Sequence, residues 1–165
     1  MLPIVLTPHA AQIGLIGQGE ALERRRSLLA GAGIRPVLLA PDAEFGAVRV
    51  LFVAGLDPAT AAGLAGRARR TGILVNVEDI PDLCDFHVPA ILRRGDLLFS
   101  VSTRGRAPGL ARRLREWLEQ HFGPEWEEWS AELGQVRERW RGEGVSPGEI
   151  SDRTRKIIEE KGWLR

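Results

Sequence analysis

Lysine is nearly missing from this chain. Lys156 and Lys161 are the only two in a combined lysine and arginine count of 23, so the basic charge is almost all arginine. Arginine forks suit carboxylates and phosphates, although so general a bias also follows from genome composition. An excess of either charge is missing too: the net charge is +1, which leaves no global field to argue for a nucleic-acid partner. The single cysteine, Cys84, excludes an internal disulfide and fits a reducing, cytoplasmic setting. His9, His87 and His121 are isolated, without a second His or Cys at metal-ligand spacing, so no fixed metal is expected. No apolar run approaches the ~20 residues of a membrane span. The stretch before Gly17 lacks the basic start of a signal peptide, so no membrane partner is expected.

What is present is ordinary globular material, 44% hydrophobic and 27% charged over 165 residues, enough for one good core with a small appendage. Residues 12–17 read as a short buried strand, Gly17-Gln18-Gly19 as a tight turn, and Glu20 to about Ala32 as a helix. Pro36–Ala40 reads as a second strand and Val48–Ala54 as a third, apolar enough for a parallel sheet covered on both faces. Pro58–Arg70 is an alanine-rich helix and Ile73–Val77 a fourth strand. Strands alternating with helices across glycine-rich turns predict an α/β domain with a small Rossmann-like parallel sheet. Only Pro41 to Ala47 joins the second and third strands, where a helical crossover needs about a dozen residues. Seven extended residues reach roughly 23 Å, enough to pass one strand without a helix, which would leave the second strand at an edge.

Beyond the sheet, Ile91–Val101 folds as an apolar hairpin around Arg94-Gly95-Asp96, and Phe86-His87-Val88-Pro89 reads as a strand. A Pro108-started basic helix follows, and Gly123-Pro124 breaks the helical spacing. Ser146-Pro147 opens a last helix that Lys161-Gly162 closes. All five tryptophans fall in this final third at helical spacing, which usually means core or subunit contact. The expected segments are 1–80 (Rossmann-like, shortened), 81–107 (hairpin) and 108–165 (helical).

The stretch from Asn76 to Glu116, NVEDIPDLCDFHVPAILRRGDLLFSVSTRGRAPGLARRLRE, resembles the precorrin-2 dehydrogenase/sirohydrochlorin ferrochelatase family, the module that stands alone or forms the N-terminal half of sirohaem synthase. The resemblance runs from Leu2-Pro3 to about Phe122. It implies NAD-dependent oxidation of precorrin-2 to sirohydrochlorin, with Fe²⁺ as a further substrate if chelation to sirohaem follows, in a homodimer paired through the hairpin. By the resemblance Asp79, in its Asn76-Val77-x-Asp79 context, is the catalytic acid, able to take the proton as hydride leaves and pyrrole protons as iron enters. Glu78, where the family has a small or apolar residue, offers a second carboxylate that could share this role. The plainer alternative makes Asp79 a cap for the turn before Pro81.

The same resemblance places the substrate against Asn76, Ser102, Thr103, Arg104, Gly105 and Arg106. Arg104 stands where glycine is usual, at a cost of about 1–2 kcal/mol if the backbone there is left-handed. Arg104, Arg106, Arg112, Arg113 and Arg115 could meet the carboxylates around a tetrapyrrole, though residues 112, 113 and 115 cannot all face one ligand from a helix. The dinucleotide is implied against Gly17, Gly19, Glu20, Ala21, Pro41, Asp42, Ala54 and Gly55, with Asp42 the only acid placed for a ribose. Glu20 would oppose a phosphate unless it points away, and Leu22 should hold the helix off the strand where glycine or alanine would let it close. These departures leave a chelatase alone, or a non-catalytic tetrapyrrole- or nucleotide-binding dimer, as alternatives.

Overall fold

The computed structural model describes residues 2–164, so the end residues of the expected segments 1–80 and 108–165 lie outside it. The chain divides into two compact units, residues 1–88 and 89–165. The first is an α/β layer built on a four-stranded parallel sheet, ordered β2-β1-β3-β4, with β1 Gln12–Gly17, β2 Val37–Leu38, β3 Val48–Ala54 and β4 Leu74–Val77. β3 is central and apolar on both faces, as a doubly covered strand must be. Val50 and Phe52 point to the side of helix α1 (Gly19–Ala30), with Ile13, Leu15 and Leu29. Leu51 and Val53 point to the side of α2 (Pro58–Arg70), with Leu64, Ala65, Ala68 and Val75. Leu15, Leu51, Val53 and Val75 are almost wholly excluded from water, each contributing about 1.5–3 kcal/mol by burial.

The short link between β2 and β3 passes β1 without a helix, which leaves β2 at an edge. It is held from α2. The Arg67 guanidinium donates to the carbonyls of Pro41, at 2.9 Å, and Ala43, and lies over the ring of Phe45, which inserts into the α2-side core. β2 shrinks to two residues because a single neighbour pairs with it and proline stands at 36 and 41.

β4 is the other edge, and residues 80–88 wrap around it. Asp85 mimics a fifth strand: its N–H donates to the Val75 carbonyl at 2.8 Å, and its carboxylate accepts the Val75 N–H at 2.8 Å. Phe86 and Val88 then pack on the α1 side, Phe86 edge-on to Phe52 at 5.4 Å. His87 therefore lies in an irregular wrap, not in the strand its apolar neighbours suggest, because the segment makes no regular ladder with β4 and bonds to it largely through the side chains of Asp85, Asn76 and Cys84.

The second unit pairs β5 (Ala90–Arg94) antiparallel to β6 (Leu97–Val101) around Gly95-Asp96, with α3 (Pro108–His121), α4 (Glu125–Gly142) and α5 (Pro147–Lys161). A two-stranded sheet is marginal alone, and this one packs on α3. Arg94 Nε donates to the carbonyls of Phe122 and Gly123, at 2.8 and 3.1 Å, tying the hairpin to the α3–α4 corner. Phe99, Phe122, Trp126, Trp129 and Trp163 then form a continuous run, with successive ring centroids 4.4, 5.0, 5.1 and 4.8 Å apart. Four of the five tryptophans are thus partly buried, and Trp117 alone is exposed, stacked on His121.

Local chemistry sets the helix ends. Asp57 caps α2 by accepting from the N–H groups of Ala59 and Thr60, with Pro58 following. Hydrogen bonds from the Thr60 side chain and backbone hold the Asp57 carboxyl below the usual aspartate range. A pKa lowered by folding gives stability that is present above the unfolded value and lost as pH falls through the folded one. The deficit in melting temperature of Asp57→Ala against the parent should therefore shrink between about pH 6 and about pH 2. Thermal melts followed by circular dichroism check this, and a constant deficit would remove the charge from the cap.

Candidate dinucleotide cleft and catalytic acid

In a parallel sheet all strands deliver their carboxyl ends to one edge, where open α/β sheets take their ligands. Here that edge collects the turn after β1 (Gly17 to Ala21), the turn after β3 (Ala54-Gly55), the loop after β2 (Pro41-Asp42) and the turn after β4 that carries Asp79. The first two turns touch main chain to main chain. Gln18 N–H donates to the Ala54 carbonyl at 3.2 Å. A Cβ on Gly17 would stand 2.1 Å from that carbonyl oxygen, and one on Gly55 would stand 2.4 Å from the Gln18 oxygen and 3.1 Å from the Ala21 Cβ. Gly55 also has φ +69°, and Gly19, at φ +63°, faces open space with nothing within 4 Å of a Cβ.

That open space lies at the start of α1, where no side chain caps the helix and the first N–H groups have no partner within it. A cradle of this kind fits a pyrophosphate. Glu20 does not oppose it: the carboxylate is drawn to within 3.8 Å of Arg24, one turn further along the helix. Leu22 does not hold the helix away either. It packs into the α1-side core, and Gly17, Ala21 and Gly55 supply the close approach instead. Asp42 is exposed beyond β2.

Asp79 is exposed and sits in a left-handed conformation, φ +60°. It caps nothing: its carboxylate makes no hydrogen bond or ion pair among the described residues. Its turn is knotted by Cys84, whose thiol accepts the Val77 N–H at 3.3 Å and lies 3.1 Å from the Val77 carbonyl and 3.4 Å from that of Ile80. Asn76 is buried, and donates through Nδ2 to the Phe86 carbonyl at 2.9 Å while its Oδ1 has no partner. Glu78 is committed elsewhere, with its carboxylate 3.7 Å from Arg24 and 3.8 Å from Arg25. Burial lowers the pKa of Arg25, and Glu78 opposes that shift. Cys84 is the small turn residue that its place in the sequence suggests, whereas sequence reasoning missed Asp85 and Arg25 because each acts through partners distant in the chain.

Ser102 to Arg106 belong to the second unit. Arg106 N–H donates to the Thr103 carbonyl at 3.0 Å, and Arg104 and Gly105 have φ +58° and +73°, the geometry of a type I′ turn. The Ser102 hydroxyl accepts the Arg104 N–H at 3.4 Å and that of Thr103 accepts the Ala107 N–H at 3.2 Å. Three of the five arginines near this loop are bound to α3 itself. Arg112 and Arg113 pair with Glu116, holding its carboxyl below the usual range, and Arg115 pairs with Glu119. Arg104 and Arg106 are exposed and form no ion pair among the described residues.

The chain is 38% identical over 141 residues to the sirohaem synthase of Methylococcus capsulatus, across 72% of this chain and 30% of that one. It is 33% identical over 175 residues to sirohaem synthase 1 of Aeromonas salmonicida, across 90% and 36%. The chain is thus a relative of the sirohaem synthases. It spans about a third of the length of these curated relatives. The solved structure of SirC, precorrin-2 dehydrogenase, superposes with a TM-score of 0.77 over 100% of this chain and 93% of that one, and at 19% identity it shares the fold. A family model described as "Putative NAD(P)-binding" matches residues 43–90, from the braced loop through β3, α2, β4 and the wrap. That family match supports a nicotinamide cofactor without distinguishing its phosphorylated form. Among the described residues no group of three or more His, Cys, Asp or Glu could hold a metal, and no helix is long and apolar enough to cross a membrane.

Gly55→Ala tests the cradle. Left-handed strain and the clash with the Gln18 oxygen should together destabilise the first unit by about 2–4 kcal/mol and weaken dinucleotide binding. Urea unfolding followed by far-ultraviolet circular dichroism reads the first effect. A variant as stable as the parent would show that the two turns can part freely.

Proposed function

We propose that the chain oxidises precorrin-2 to sirohydrochlorin with NAD⁺, and that Fe²⁺ is the substrate of a second, chelating step at the same acid. The observation that carries this reading is Asp79: exposed, unpartnered and fixed at the carboxyl end of β4, one strand from the glycine cradle. The N–H groups of Gly19, Glu20 and Ala21 would hold the pyrophosphate, and Ala54-Gly55 would floor it. The bound nicotinamide supplies the hydride acceptor. Asp79 takes the proton that accompanies hydride loss, and later the pyrrole protons that iron displaces. Asp42, beyond β2, favours a free ribose hydroxyl over a 2′-phosphate, hence NAD⁺ over NADP⁺. Asn76 serves the site by holding Phe86. Arg104 and Arg106 are the cations left to meet substrate carboxylates. The seating of Leu22 in the core speaks against a chelatase stripped of nucleotide binding.

Anaerobic turnover of precorrin-2 tests this reading. The parent should reduce NAD⁺ in preference to NADP⁺, and Asp79→Ala should lose at least about 100-fold in rate with an unchanged circular dichroism spectrum. Parental rates in that variant would move the proton transfer away from Asp79, and no turnover in the parent would leave the chelatase or carrier reading.

A homodimer through the second unit is part of the same proposal. The β5–β6 hairpin has two strands and hence open edges, and Leu110, Leu114 and Trp117 form an exposed apolar stripe along α3. Sedimentation at micromolar concentration should show about twice the chain mass of 18.2 kDa. A single species at the chain mass would overturn the dimer.

A further inference from the structure

With no partner for its carboxylate, Asp79 is aimed by its backbone alone. That backbone is left-handed, at φ +60°, a state that persists in a non-glycine residue only where its surroundings enforce it. One restraint comes from the preceding residue. Glu78 N–H donates to the Val53 carbonyl at 2.9 Å, and the Glu78 carboxylate, with a side chain 17% exposed, reaches back to α1. There it lies 3.8 Å from Arg25 Nη2 and 3.7 Å from Arg24 Nη2. The two arginines are not equivalent. Arg24 is 62% exposed, so solvent screens its pairing. Arg25 is 12% exposed, and its guanidinium carbon lies 5.3 Å from the centroid of the Phe52 ring. A buried guanidinium needs its counter-charge, and removing one partner strands the other.

We infer that Glu78 and Arg25 form a positioning pair for Asp79. The pair carries the seating of α1, the helix that opens at the glycine cradle, into the peptide that precedes the acid. It rests on the reading of Asp79 as proton acceptor. Glu78 is thereby not a second acid: its charge is spent on orientation. Because α1 starts where the dinucleotide would bind, the pair also links occupancy of the cradle to the order of the Asp79 turn.

The test uses the full chain with Glu78→Gln, Arg25→Met, the double variant and Asp79→Asn. Each single variant of the pair should lose about tenfold in kcat through misplacement of the acid, with KM for precorrin-2 unchanged within about twofold. The double variant should be no worse than either single, because both remove the same interaction. Arg26→Gln, on the exposed face of α1 and paired with Glu23, should keep the parental rate. Without substrate, amide exchange at Asp79 and Ile80 should quicken in both singles. NAD⁺ should slow that exchange in the parent and not in Arg25→Met. If Asp79→Asn turns over at the parental rate, the reading of the acid fails and the inference with it. If Asp79→Asn is dead while both singles keep parental kcat and exchange, Asp79 stands and the pair is merely structural. Additive losses in the double variant would likewise overturn the pair. Should Glu78→Gln not fold, Arg25→Lys decides: it keeps the charge over Phe52 and should stay within about threefold of the parent in kcat, where a loss as large as that of Arg25→Met would overturn the pair.

Discussion

The first unit depends on a place where no side chain fits. The turns after β1 and β3 meet main chain to main chain, and a Cβ on either Gly17 or Gly55 would enter a carbonyl oxygen. Everything at the sheet edge is referenced to that contact. It seats α1 with its first N–H groups facing open space. It fixes the end of β3, from which the Val53 carbonyl takes the Glu78 N–H, and the next residue is the acid. The candidate dinucleotide cleft is thus a consequence of backbone packing, with side chains added at its rim.

The acid is held with equal economy. Two residues of the wrap and one of β4 do the work that a fifth strand would do. Asp85 satisfies the free edge of β4, Cys84 knots the turn with its thiol, and Asn76 holds the Phe86 carbonyl. The lone cysteine is thereby accounted for without metal or redox chemistry of its own: it is a small, weak hydrogen-bonding group that fits where a hydroxyl or a larger side chain would change the spacing.

Much of this was legible in the sequence, for local reasons. Asp57-Pro58, Ser146-Pro147 and Gly162 bound their helices by rules that act within one turn, and β3 announced its burial by an unbroken apolar run. The missing crossover was countable from Pro41 to Ala47. Less legible was anything decided by a distant partner. Leu22 looked like an obstruction because its spacing was read against the strand alone, whereas it lodges beside that strand's core. His87 looked like a strand residue because apolar neighbours do not disclose that a carboxylate will replace the ladder. The basic cluster after Thr103 divided only when Glu116 and Glu119 claimed three of its members.

The aromatic run of the second unit has an optical consequence. The chain has no tyrosine, and every tryptophan lies beyond residue 116, so the first unit contributes only phenylalanine to the near-ultraviolet. Emission excited at the red edge of the indole band belongs wholly to the hairpin and helices. The two units can therefore be watched melting separately in one sample, the helical unit by its light and the sheet by what remains in the amide band.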